Sequence, residues 1–202
     1  MTAQEFFKEL PGCNLCKERT LVQSCLRAKG EPVSAKGNFN ARAVLIGRNP
    51  GSTEARELVP FCGAAGDKLN TALFAAGIKR AECYITNLVK CFTPSGVSPS
   101  IACRKRCAGR WLDRELAELK ELKLIVAFGN EALQYFDLEA SVGQLHGTSF
   151  SVYTTNPERA QPTMLFAMFH PAACLHDPRI IRRFEKDANE LGRVAKELGV
   201  TQ

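Results

Sequence analysis

Hydrophobic positions fall into two rhythms that alternate along the chain. Ala43-Val44-Leu45-Ile46-Gly47 is a short unbroken apolar run ending at glycine, the pattern of a strand buried on both faces. Cys83-Tyr84-Ile85-Thr86-Asn87, rich in β-branched and aromatic residues, predicts a second strand. Residues 123–128, closed by Gly129, predict a third, and Met164 to Phe169 a fourth. Between them the period becomes helical. Leu69, Leu73 and Ala76 mark one face of a helix over 64–76 that stops at Gly77, and Trp111 or Leu112 with Leu116 and Leu119 mark another over about 108–121. Ile180, Phe184, Ala188, Leu191, Ala195 and Leu198 line one side of a long helix over 179–198.

This β-α alternation predicts an α/β fold, an open parallel sheet with helices on both faces. Ligands of such sheets bind beyond the carboxyl ends of the strands. Three segments fall there: Gly47 to Glu54, Asn87 to Cys91, and His170 to Leu175. No repeat, low-complexity tract or linker-like stretch divides the chain, so residues 1–202 are read as a single domain.

Composition narrows the setting. At 202 residues and 45% hydrophobic, the chain can build a core without disulfide staples, so its nine cysteines need another explanation. No apolar run approaches the roughly 18 residues of a membrane span. The first residues are acidic and amphipathic rather than basic and then apolar, which predicts no secretory leader and a cytoplasmic setting where thiols stay reduced. The net charge is +6, and its densest part is the stretch 91–110, which carries Arg104, Lys105, Arg106 and Arg110 and no acid. Such a stretch suits a polyanionic partner.

Cys13 and Cys16 form a C-x2-C pair, while Cys91 and Cys107 lie 16 positions apart. Four thiolates suit either a tetrahedral zinc or a 4Fe-4S cluster. Cys103 competes with Cys107 as the fourth ligand, and spacing does not choose between them. Cys25, Cys62, Cys83 and Cys174 lack any pairing spacing. Gly47-Arg48-Asn49-Pro50-Gly51 is neither a Walker loop nor a dinucleotide fingerprint. Its glycines allow close backbone approach, and Pro50 fixes a turn that presents Asn49 at the strand end. His170 follows the fourth strand and so lies at the same edge; His146 and His176 have no cysteine or carboxylate at a ligand spacing and are read as loop residues.

Taken in order, Gly47 to Glu54, Pro60-Phe61-Cys62-Gly63-Ala64-Ala65-Gly66, Tyr84 to Cys91, and His170-Pro171-Ala172-Ala173 resemble the motifs of the uracil-DNA glycosylase superfamily. The likeness is to family 4, the iron-sulfur branch, and runs from Cys13 to about Pro178. It implies a three-layer α-β-α fold around a mainly parallel four-stranded sheet. It also implies a 4Fe-4S cluster on Cys13, Cys16, Cys91 and Cys107, which selects Cys107 over Cys103. One motif departs from the family: G-E-A-P-G or a close variant is replaced here by Arg48 and Asn49. The G-x-N-P-G form resembles other branches of the superfamily, in which that Asn holds the attacking water.

The resemblance implies a monofunctional enzyme that flips uracil, or another deaminated base, out of DNA and hydrolyses its glycosidic bond, initiating base excision repair. The site is then Gly47, Arg48, Glu54, Phe61 and Asn87 around the base, with Asn49 and His170 catalytic. Phe61 would stack on the base, Asn87 would read its edge, and His170 would stabilise the departing anion. Glu54 would either shape the pocket or cap the next helix. Arg104, Lys105, Arg106 and His176 would meet DNA, with Leu175 as the wedge. The segment 91–106 lacks the reactive His of the cross-linking branch, and no lysine is placed as a Schiff-base nucleophile. A monomer without a membrane partner is expected. The competing reading is a non-catalytic iron-sulfur DNA-binding or damage-sensing protein on the same fold.

Overall fold

The structure, a computed structural model, describes residues 8–13, 15, 31–93, 97–154 and 162–201. Its strands are β1 (Ala43–Gly47), β2 (Cys83–Asn87), β3 (Leu124–Phe128), β4 (Ser149–Val152) and β5 (Thr163–Met168). They form one sheet in the order β2-β1-β3-β5-β4. All neighbours are parallel except β4, which runs antiparallel to β5. Every residue of β1, β2 and β3 is buried, as their unbroken apolar runs require. The sheet thus has five strands among the described residues, one more than the four expected. The additional strand, β4, reads Ser-Phe-Ser-Val with both serines exposed at the sheet edge, so no apolar run announces it. At the opposite edge, Lys36 and Ile85 exchange backbone hydrogen bonds of 2.9 and 2.7 Å, which covers β2.

The helices are α1 (Ser52–Glu57), α2 (Ala64–Ala75), α3 (Ile101–Cys107), α4 (Asp113–Glu118), α5 (Asn130–Tyr135), α6 (Val142–Leu145) and α7 (Pro178–Glu197). The helix expected over about 108–121 begins earlier. Ser100 caps α3 by accepting the Cys103 N–H at 3.2 Å, and α3 continues through a π turn at Ala108–Leu112 into α4. The crossover from β1 to β2 and that from β2 to β3 run in opposite directions along the sheet. By the right-handed rule for parallel crossovers, this order places α2 and the α3–α4 segment on opposite faces, an α-β-α layering. α7 packs against α2. No helix among the described residues is long and apolar enough to cross a membrane. His146 lies in a turn, as read, and its Nδ1 lies 3.0 Å from the carboxylate of the buried Asp187.

Candidate active site

The strand order reverses beside β1, and the crevice at that switch point is where a doubly wound sheet holds its ligand. A cavity of about 660 Å³ opens there. Four strand ends supply its wall: Asn87 closes β2, Arg48 and Asn49 follow β1, Phe128 and Glu131 come from the end of β3, and His170 follows β5. The loops beyond β1 and β2 extend their pairing, because Leu88 and Val89 donate backbone hydrogen bonds to Gly47 and Arg48, both at 2.9 Å. The first two motifs are thereby held in register outside the sheet.

Phe61 lines this cavity from a left-handed backbone conformation, φ 52°, which an L side chain adopts at a cost of roughly 1–2 kcal/mol. Its surroundings impose it. Arg80 donates to the Pro60 and Phe61 carbonyls at 3.1 and 2.9 Å, and a Cβ on Gly66 would overlap the Phe61 carbonyl. Gly47 is equally constrained: a Cβ there would lie 2.5 Å from Asn87 Oδ1 and 2.6 Å from Phe61 Cζ. The Phe61 ring also stacks beside His170, at 5.7 Å between centroids and 25° between planes.

Asn87 is 3% exposed, and its amide makes no hydrogen bond among the described residues. Its backbone carbonyl, by contrast, accepts from the buried Lys90 ammonium at 2.9 Å. His170 Nδ1 accepts the Ala172 N–H at 3.1 Å, so the neutral ring carries its proton on Nε2. Burial, with the Arg48 cation adding to it and Glu131 opposing, lowers the His170 pKa to about 4. At neutral pH the imidazole is therefore an uncharged donor.

Asn49 is held on both sides. Its Oδ1 accepts from Arg48 Nε at 2.9 Å, and its Nδ2 donates to the Pro50 carbonyl at 3.0 Å and to Thr93 Oγ1 at 3.1 Å. Arg48 Nη1 reaches Ser98 Oγ at 3.1 Å and Glu131 Oε1 at 3.2 Å. Glu54 lines the cavity and accepts the N–H of Gly63, the residue that caps α2, at 3.2 Å. That contact holds the residue before α2, while the helix itself has no side-chain cap. Glu131, Thr93, Ser98 and Arg80 were not singled out in the sequence. Glu131 had a usable signal, since it lies three residues beyond a strand end.

His176 is exposed at the cavity rim, and Leu175 is exposed beside it on the single turn Pro171–Leu175; Cys174 is buried. Arg104, Lys105 and Arg106 all lie on α3. Only Lys105 is fully exposed: Arg104 donates to Gln134 at 3.1 Å, and Arg106 donates to the Leu15 carbonyl at 3.4 Å, tying the N-terminal segment to the helix.

Away from the cavity, Cys107 Sγ accepts the Lys90 N–H at 3.4 Å. Burial, opposed by Lys90 and assisted by the nearby Cys91 and Cys13, raises its thiol pKa to about 12. Cys16 lies outside the described residues, and among those described no three ligating side chains are gathered at metal-binding distances. Cys103, one turn before Cys107, is disulfide-bonded rather than a free thiol.

Chemically, the cavity combines an aromatic ring, an unclaimed amide and a neutral imidazole donor. That set suits a flat heterocycle with polar edges, bound where an α/β sheet reverses its strand order. The comparison with known families agrees with this class. The model of the Uracil DNA glycosylase superfamily matches residues 35–192, and the chain belongs to that superfamily. It is 30% identical to the Type-4 uracil-DNA glycosylase of Archaeoglobus fulgidus over 94% of this chain and 92% of that protein. It is also 30% identical to the Type-4 uracil-DNA glycosylase of Thermotoga maritima, over 96% and 87%. The Type-5 uracil-DNA glycosylase of Thermus thermophilus is 32% identical over 66% of this chain and 71% of its own.

Proposed function

We propose that this chain is a monofunctional, monomeric uracil-DNA glycosylase of the cytoplasm that excises uracil, and other deaminated bases, as the first step of base excision repair. The observation that carries this reading is the convergence of Phe61, Asn87 and His170 on one cavity, with the Asn87 amide unpaired among the described residues. A base within a duplex cannot enter such a cavity. The nucleotide must be flipped out, at a cost of a few kcal/mol. Leu175 and His176 at the rim fill the vacated stack, and Lys105, with Arg104 and Arg106 beside it, faces phosphate.

Inside, the base lies against Phe61, a contact worth roughly 1–3 kcal/mol. The Asn87 amide donates to O4 and accepts from N3–H. Cytosine presents the reverse pattern and leaves that amide unpaired. As the glycosidic bond breaks, negative charge gathers on the base, and the His170 Nε2–H donates to O2. A neutral donor suffices here, because a preorganised hydrogen bond in a closed site stabilises developing charge by a few kcal/mol. Asn49 cannot take a proton from water; it orients one toward the sugar cation, a strong electrophile. No lysine is placed to attack the sugar, so strand cleavage does not follow.

We assign a 4Fe-4S cluster to Cys13, Cys16, Cys91 and Cys107, of which Cys16 lies outside the described residues. Their thiols suit iron, and the Lys90 N–H already points at one of these sulfurs. Bound there, a cluster would supply a structural cross-link between the N-terminal segment and the basic helix. A brown protein with absorbance near 400 nm that is lost in Cys107→Ser supports this assignment; a colourless zinc protein overturns it.

The decisive assay is release of free base from oligonucleotides carrying uracil opposite G, uracil opposite A, single-stranded uracil, hypoxanthine and xanthine. The expected result is uracil release with strand breakage only after alkali. DNA binding without base release establishes the non-catalytic alternative instead.

A further inference from the structure

One acidic side chain in the cavity has no part in the mechanism above. Glu131, three residues past β3, holds Arg48 Nη1 at 3.2 Å, and the same nitrogen reaches Ser98 Oγ at 3.1 Å. With that end fixed, the planar guanidinium turns Nε onto Asn49 Oδ1 at 2.9 Å. The opposite end of the Asn49 amide is also specified. Thr93 donates its hydroxyl proton to the Val97 carbonyl at 2.8 Å, so toward Asn49 it can only accept. The Pro50 carbonyl accepts as well. Both Nδ2 protons are therefore committed, and Oδ1 keeps one lone pair for a further donor.

We propose that Arg48 and Glu131 are a positioning pair for the hydrolytic water. The pair fixes the Asn49 amide with Oδ1 as the acceptor, and Glu131 cancels the positive charge that Arg48 brings beside a centre that becomes cationic. This rests on the glycosylase reading. The chemistry of the site requires such a pair: an isolated cation next to a developing oxocarbenium opposes bond breaking, whereas an ion pair does not. Arginine is the residue type for the role, because its rigid fork reaches two acceptors at fixed angles, which a lysine cannot reproduce.

The test is single-turnover uracil release at saturating enzyme, with affinity for uracil-containing DNA measured separately by anisotropy and folding checked by thermal melts. Glu131→Gln and Arg48→Lys are each expected to slow release roughly 10- to 100-fold, the scale of a misplaced reacting group, with DNA affinity within threefold. Arg48→Gln/Glu131→Gln, which removes both charges, is expected to be no slower than Glu131→Gln alone. In an Asn49→Ala background, Glu131→Gln is expected to change nothing further. A Glu131→Gln rate within twofold of the unmodified protein overturns the proposal, as does a further slowing by Glu131→Gln in the Asn49→Ala background, which would mean direct action on the substrate. Absence of uracil release by the unmodified protein refutes the glycosylase reading itself, a different result from an active protein indifferent to these substitutions.

Discussion

Lys90→Met is the perturbation whose consequences the structure specifies most fully. Lys90 is 1% exposed and Glu115 is 0% exposed. All three ammonium protons of Lys90 are used: on Thr86 Oγ1 at 2.5 Å, Glu115 Oε2 at 2.7 Å and the Asn87 carbonyl at 2.9 Å. Methionine keeps most of the stem volume but strands Glu115, whose Oε1 already lacks a hydrogen-bond partner. Leaving such a carboxylate charged and unpaired costs about 3–5 kcal/mol. For a domain of this size that is a drop in Tm of roughly 6–20 °C. Lys90→Met/Glu115→Met removes both charges and is expected to recover most of the loss, since apolar replacement of a buried pair is often neutral or stabilising. Uracil release should not recover with it, because the Asn87 carbonyl has still lost the donor that fixes its backbone. Denaturant and thermal unfolding measure the first effect, and single-turnover kinetics the second. A Lys90→Met protein within 1 kcal/mol of the parent, or a double variant less stable than Lys90→Met, refutes the reasoning.

Three further outcomes follow. Gly66→Ala drives a methyl into the Phe61 carbonyl, which is backbone and cannot swing aside, so a stability loss of about 2 kcal/mol or more is expected in urea unfolding, with loss of uracil release. Gly47→Ala instead meets the Asn87 and Phe61 side chains, so it should block base binding at a small cost in Tm, and unimpaired release would show the cavity to be elsewhere. The His170 pKa near 4 in the folded protein, against 6.5 ordinarily, means that the unfolded chain takes up this proton first as pH falls. Stability contributed by the neutral ring is full above pH 6.5 and is lost as pH drops toward 4, with no further loss below. His170→Asn, which preserves an acceptor for the Ala172 N–H, should flatten that part of the Tm-against-pH curve; an unchanged slope assigns it to other groups.

The parallel strands were legible because burial on both faces leaves unbroken apolar runs, and Asn49, Asn87 and His170 were legible because each sits where such a run ends. β4 was not, since an edge strand with two exposed serines carries no such run. The start of α3 was hidden for a different reason: Cys103 and Cys107, four apart on its buried face, read as ligand spacing rather than as helix period. The basic cluster was visible as charge, but charge does not reveal that Arg104 and Arg106 are spent on Gln134 and the Leu15 carbonyl. Arg80 gave no signal at all, because its task is to hold two backbone carbonyls, which no side-chain pattern records.

Arg80 also explains how a strained residue can belong to a rigid cavity. The left-handed turn at Phe61 persists only if its surroundings stabilise it by more than the strain costs. They do so through backbone: two carbonyls gripped by one guanidinium, and a helix start at Gly66 that admits no side chain. The guanidinium is itself oriented by Asn70 Oδ1 at 3.0 Å from α2, so the ring, the turn and the helix form one unit. The opposite wall is built in the same way, with Lys90 gripping the Asn87 carbonyl while the side-chain amide stays unclaimed. In both walls the backbone is fixed by a cation, and the side chains that face the cavity are left uncommitted. A site organised like this meets its ligand without rearranging, so little of the ligand's binding free energy is lost to ordering the protein.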